Sequence, residues 1–241
     1  MPGPARRGVA VLCYHQVEDL SHDPVLGAFA VPPALLAGQL DALRDAGHAF
    51  VSLDDALDAL DGRARLPRRA VLVTFDDAYE SLREHGLPLL RERGIPGVVF
   101  AISGRVGASN DWSAAEGRSE LPLMDAAGLA EAAEAGLRIG CHAATHRPLT
   151  AVPDAELDAE LVRSRDELEA LGLGRPRVLA YPYGDNDERV RRAVAVAGYE
   201  AAFTVEAGVA RAGMDRTALP RIGVRSEDSP ERLVRRVRSA A

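Results

Sequence analysis

The chain has 241 residues, 47% apolar and 27% charged, with a formal net charge of -7 and a sequence pI near 5.4. That acidic balance argues against a nucleic-acid partner, because neutralising phosphates requires a basic surface. Length and composition fit one globular domain, residues 1–241.

The N-terminal run "VAVLC" is too short for a secretory core, and no stretch approaches the roughly 20 apolar residues of a spanning helix. The expectation is therefore a cytoplasmic protein without a membrane segment, or an exported one whose leader has been removed. Cys13 and Cys141 are too few for a disulfide framework and read as reduced, buried thiols. Nothing in the sequence speaks to the oligomeric state.

In chain order, strand-like runs fall at 9–14, 49–53, 70–75, 97–102, 137–141, 177–181 and 200–205. Segments of helical periodicity lie between most of them, at 33–47, 52–62, 79–94, 124–136, 154–172 and 188–198. Several end in glycine, as helix C-termini do. Strands alternating with helices predict parallel βα units, and about seven such units predict an α/β fold closed into a distorted (β/α)7-type barrel. A flat, doubly wound sheet is the alternative. The polar connection at 103–122 is too long for a bare βα turn and reads as a lid or a disordered segment. It carries the chain's single tryptophan, Trp112, which either stacks on a sugar ring or covers an edge of the core.

The run "VLVTFDDAYES" drives an apolar strand into two adjacent carboxylates, Asp76 and Asp77. Strand C-termini are where ligands bind in such sheets and barrels. For a lone Asp pair after a strand, a plain helix cap is the commoner explanation. A second strand, "LRIGC", runs into His142 and His146, and neutral imidazoles four residues apart can converge on a metal, although HxxxH alone is weak evidence. A third strand ends in the rigid turn "YPYG", and the first ends at His15. His22, His48 and His85 read as surface residues.

The order of "TFDD", the HxxxH of "GCHAATH" and "YPYG", with "LCYHQV" at the start and "LPRIGV" near the end, resembles the polysaccharide deacetylase family. These are the carbohydrate esterases that share the NodB homology domain. The order is similar to the branch with an early His motif ahead of the aspartates, as in poly-β-1,6-N-acetylglucosamine deacetylases. The resemblance covers nearly the whole chain. It implies a metal-dependent hydrolase that removes the N-acetyl group from an acetamido sugar, whether polymer, oligomer, small or carrier-linked. Asp77, His142 and His146 would hold a divalent metal, typically zinc, with cobalt, manganese, nickel or iron also accommodated. Asp76 would be the base, His15 the acid for the leaving amine, and Tyr183 the backbone N–H donor to the oxyanion.

Three departures stand out. Ala78 replaces the usual glycine, Cys141 and Ala143 flank His142 where hydroxyl residues are usual, and the arginine opening the "RxPYG" form is absent, with Ala180 and Tyr181 in that region. Arg221 is the candidate to orient Asp76 instead, and a purely structural arginine is the alternative. Two other functional readings remain: an amidase or cyclic-amide hydrolase of the same fold acting on a non-sugar compound, and a non-catalytic carbohydrate-binding relative.

Overall fold

The computed structural model describes residues 8–112 and 119–240. Eight strands form one parallel sheet, β1 (Val9–Tyr14), β2 (Ala49–Phe50), β3 (Ala70–Phe75), β4 (Gly97–Ala101), β5 (Leu137–Cys141), β6 (Val178–Ala180), β7 (Ala201–Phe203) and β8 (Ile222–Gly223). Their order is β7-β6-β5-β4-β3-β1-β8, with β2 also paired to β3. The two ends of this curled sheet meet through one segment. Leu219 bridges in parallel to Phe203 of β7, and Ile222 and Gly223 pair with Leu12 and Cys13 of β1. The result is the distorted (β/α)7 barrel expected from the alternation.

Helices α1 (Pro33–Asp45), α2 (Leu53–Leu60), α3 (Leu87–Arg93), α4 (Ala126–Glu134), α5 (Asp154–Asp158), α6 (Ser164–Leu168), α7 (Glu188–Val196) and α8 (Pro230–Ala240) accompany the sheet. Strand alternation separates two cores. Leu12, Tyr14, Val71, Val73, Phe75, Val99, Ile139 and Leu179 pack with residues of the helices. Val9, Val11, Leu72, Val98, Phe100, Val178, Ala180 and Phe203 form the inner cluster, joined by Leu53, Leu57 and Leu60 of α2. Phe100 and Phe203 meet edge to face at 5.8 Å, and burying each contributes about 1.5–3 kcal/mol. A Cβ on Gly140 would lie 2.5 Å from the Phe100 ring, so glycine there makes room for it.

Several boundaries differ from the sequence expectation. The strand at 49–53 stops at Phe50 because Ser52 caps α2, accepting from the Asp55 N–H at 3.1 Å while Asp55 reaches back. The helix at 79–94 opens with a wide turn over Leu82–Gly86 before α3, where Pro88 lacks the N–H that a regular turn would use. β8 and α8 were not anticipated. β8 is two residues long, too short for any periodicity to register.

His48, expected on the surface, is buried. It follows the left-handed Gly47 at the end of α1, and its Nδ1 lies 3.2 Å from the Arg69 carbonyl oxygen. The stretch Leu26–Asp45 also passes for a membrane span by length and composition, against the expectation that none would. In the fold it is a 3-10 turn followed by α1, whose 13 residues cover roughly 20 Å against a bilayer core of about 30 Å. Leu36, Leu40 and Leu43 of α1 are buried, and the helix packs on α8.

Candidate active site

Three functional segments begin as the last rung of a strand ladder. The Asp76 N–H donates to the Tyr14 carbonyl at 2.9 Å, the His142 N–H to Ala101 at 2.8 Å, and the Tyr181 N–H to Phe203 at 3.1 Å. Asp76 continues the parity of Leu72, and His142 that of Gly140, so both side chains point over the inner cluster. Regular alternation would send Asp77 the other way. Asp77 and Ala78 instead take left-handed conformations, φ 70° and 57°, which return the Asp77 carboxylate to the barrel mouth. For Ala78 that conformation costs about 1–2 kcal/mol, which a glycine would avoid. Ala143 (φ 60°), His146 (φ 62°) and Tyr183 (φ 60°) are left-handed too. Backbone strain thus collects at this mouth, as it does at functional sites.

Asp77 Oδ1 lies 3.3 Å from His142 Nε2 and 3.2 Å from His146 Nε2, yet it makes no hydrogen bond. Such close approach with no donor aligned is what lone pairs aimed at a common point produce. One ligand atom from each of the three residues lies within 4.8 Å of the others, and all three residues are buried. One carboxylate and two imidazoles are a fitting donor set for a divalent metal. His142 Nδ1 donates to the Ala180 carbonyl at 2.7 Å, which leaves Nε2 as the lone-pair nitrogen. The hydroxyl residues missing around His142 therefore cost it no orienting bond, because a main-chain carbonyl serves. Cys141 lies in the outer core, its Sγ 3.0 Å from Ser164 Oγ.

Burial opposes charge throughout the cluster. It would raise the Asp77 carboxyl, but His146 and His142 hold it well below the ordinary carboxylate range. Burial would depress His142, and the Asp77 and Asp76 carboxylates outweigh it and raise that imidazole. For His146 burial prevails over Asp77 and the pKa falls, which favours the neutral ring a metal needs.

Arg221, fully buried, forms a two-pronged pair with Asp76, with Nη1 to Oδ1 and Nη2 to Oδ2 both at 2.7 Å. Its Nε donates to the Thr204 carbonyl at 2.9 Å. Cys13 Sγ donates to Asp76 Oδ2 at 3.4 Å. Burial pushes Asp76 up, but the Arg221 charge wins and holds it at about 2. His15 belongs to the same cluster through Cys13 and Asp76. Burial lowers its pKa, with Asp76 and Asp77 pulling the other way. The Tyr183 ring stands 4.6 Å from that of His146, and Trp112 stands 4.4 Å from it on the described part of the 103–122 connection. Trp112 also packs on Tyr79, Ile102 and Leu123, so it both covers a core edge and faces the site. Residues 113–118 of that connection lie outside the described residues.

One supporting residue escaped the sequence reading. Glu160, buried in the wide helical turn after α5, accepts from the Ala144 N–H at 2.9 Å, the Thr145 N–H at 3.0 Å and the Thr145 hydroxyl at 2.5 Å. It thereby pins the loop between His142 and His146. The signal was present, since Glu160 stands on the buried stripe of Leu157, Ser164 and Leu168. A carboxylate on an apolar stripe needs partners. Glu160→Gln is expected to weaken metal binding about 10- to 100-fold, by loosening the loop. Titrating metal into the stripped protein while following its melting temperature checks this, and an unchanged affinity would count against the role.

Residues 63–202 match the family model described as polysaccharide deacetylase; His15 and Arg221 fall outside the matched stretch. The chain is 25% identical over 219 residues to the poly-beta-1,6-N-acetyl-D-glucosamine N-deacetylase of Staphylococcus aureus, covering 86% of this chain and 72% of that protein. Among solved structures, it is similar to IcaB from Ammonifex degensii, with a TM-score of 0.82 and 29% identity over 96% of this chain and 97% of that one. The deacetylase PplD of Streptococcus pyogenes, solved with acetate, shares the fold with a TM-score of 0.80 and 21% identity, over 97% and 99% of the two chains.

Proposed function

The chain belongs to the polysaccharide deacetylase family, and on that premise we propose that it is a metal-dependent N-deacetylase acting on an acetamido sugar. The observation that carries this reading is the convergence of Asp77, His142 and His146 beside the Asp76–Arg221 pair in one cleft lined by His15, Trp112 and Tyr183.

Asp77, His142 and His146 would hold the metal, with zinc proposed first and cobalt, manganese, nickel or iron compatible with the same donors. A bound divalent metal supplies an acidified water and polarises the amide carbonyl. Asp76 stays ionised across the working pH range because Arg221 clamps it, and it is placed to take the proton of the attacking water. Its low pKa makes it a weak base, so its contribution is a fixed, permanently charged acceptor rather than a strong one. His15, in the same cluster, returns a proton to the departing amine nitrogen. The backbone N–H of Tyr183, in the turn after β6, is offered to the developing oxyanion. Trp112 and Tyr183 flank His146 with two aromatic faces, a surface suited to a pyranose ring.

The test is elemental analysis of the purified protein together with acetate release from N-acetylglucosamine oligomers. About one metal per chain with acetate released supports the proposal. Metal with no acetate from any acetamido sugar would overturn the substrate assignment, and failure to take up metal even on reconstitution would overturn the mechanism.

A further inference from the structure

Against Phe29, one of the residues that line the cleft, lies a cation that the hydrolytic scheme does not use. The Arg225 guanidinium lies over the face of Phe29 at 3.9 Å from the ring centroid, and Phe29 meets the His15 ring edge to face at 5.4 Å. Phe29 and His15 both line the cleft. Phe29 thus touches both Arg225 and the proposed acid. Among the described residues no carboxylate forms an ion pair with Arg225, whose only bonds to an acid run through the backbone, from its N–H to Asp228 Oδ2. The acids of the adjoining segments are engaged elsewhere. Asp228 pairs with Arg232 and Arg236, Glu227 with Arg232, and Asp23 accepts the backbone N–H groups of Val25, Leu26 and Ser119.

Stacking on an aromatic face fixes the plane of a guanidinium and leaves its edge N–H donors open. That edge matches a carboxylate or phosphate, which accepts two parallel bonds. The whole chain carries a net charge of -7 and repels anions at long range, so an unneutralised arginine beside Phe29 acts locally. We propose that Arg225 selects acetamido sugars bearing an anionic substituent, carboxylate or phosphate, on the same sugar residue as the scissile acetamide. This rests on the deacetylase reading and adds the charge class of the substrate.

The test compares N-acetylglucosamine, N-acetylglucosamine 6-phosphate and N-acetylmuramic acid with the metal-loaded wild type, Arg225→Met and Arg225→Lys. Both kcat/KM for acetate release and dissociation constants by calorimetry are read. The wild type is expected to favour at least one anionic sugar about tenfold, mostly through KM, as a charge-assisted contact at a part-solvated wall provides. Arg225→Met should collapse that ratio and Arg225→Lys should restore part of it. A phosphate preference without a carboxylate one, or the reverse, names the substituent. A general structural defect lowers all three sugars alike and leaves the ratio intact, which would overturn the proposal, as would no preference in the wild type. If no sugar releases acetate, the deacetylase reading falls by itself. Binding then decides: anion affinity lost in Arg225→Met supports the subsite, and affinity unchanged removes it.

Discussion

Asp77→Asn is expected to abolish tight metal retention and to lower acetate release by more than about two orders of magnitude, with the barrel intact. The carboxylate is one of three converging donors, and its Oδ1 has no other bond to lose. A readout independent of turnover is available. A metal that binds only the folded state stabilises it by about 2.7 kcal/mol at a concentration of 100 Kd. The wild type should therefore melt higher when metal is restored to stripped protein, and the variant should not. The pH dependence follows from His142, whose pKa lies above its ordinary 6.5 in the metal-free site. Below that raised value a proton occupies the imidazole and must leave on binding, so affinity falls as pH falls. A variant that keeps its metal-induced rise in melting temperature would remove Asp77 from the ligand set.

Arg221→Met should be nearly as damaging for a different reason. It leaves the Asp76 carboxylate buried with only the Cys13 thiol as a side-chain donor, and breaking a buried pair in this way costs about 3–5 kcal/mol. In the wild type, Asp76 titrates at about 2 against an ordinary 3.8. That depressed pKa contributes roughly 2 kcal/mol, present above pH 4 and lost as the pH falls through about 2. Without Arg221, burial dominates and the carboxyl pKa rises. The sign then reverses, and the variant should gain stability as the pH falls through the raised value toward the ordinary 3.8. Acetate release should fall by at least about 10²-fold, because the acceptor is protonated or misaligned. Urea unfolding at pH 7 and pH 5 measures both effects. Equal wild-type and variant stability at pH 7 would show that the pair is not the anchor described here. Arg221→Lys should recover only part of the loss, because one ammonium cannot reproduce both prongs.

The local patterns that announced this site were those with physical consequences along the chain itself. β-branched runs ending in polar residues gave the strand termini, and Asp76, Asp77, His142 and His146 sit at the ends predicted for them. The seven longer strand signals and the helices between them were legible for the same reason. What escaped was short, tertiary or, like the helix α8, beyond the last strand signal. β8 has two residues and is defined by its partner β1 rather than by its own pattern. His48 is polar in sequence and buried in fact, because a left-handed glycine turns it inward.

The sequence by itself determined the parallel βα architecture, the family, and the residue types able to hold a metal, since these follow from periodicity and from chemistry carried on contiguous motifs. Only the tertiary structure decided how distant residues combine. Arg221 reaches Asp76 across 145 positions, Cys13 reaches it across 63, and Ala180 orients His142 across 38. Glu160 pins the histidine loop from a helix, and Asp77 faces the cleft only because its own φ and that of Ala78 are positive. Closing the barrel brings those groups to one mouth. Burial there makes each charge and hydrogen bond depend on partners that no local stretch of sequence contains.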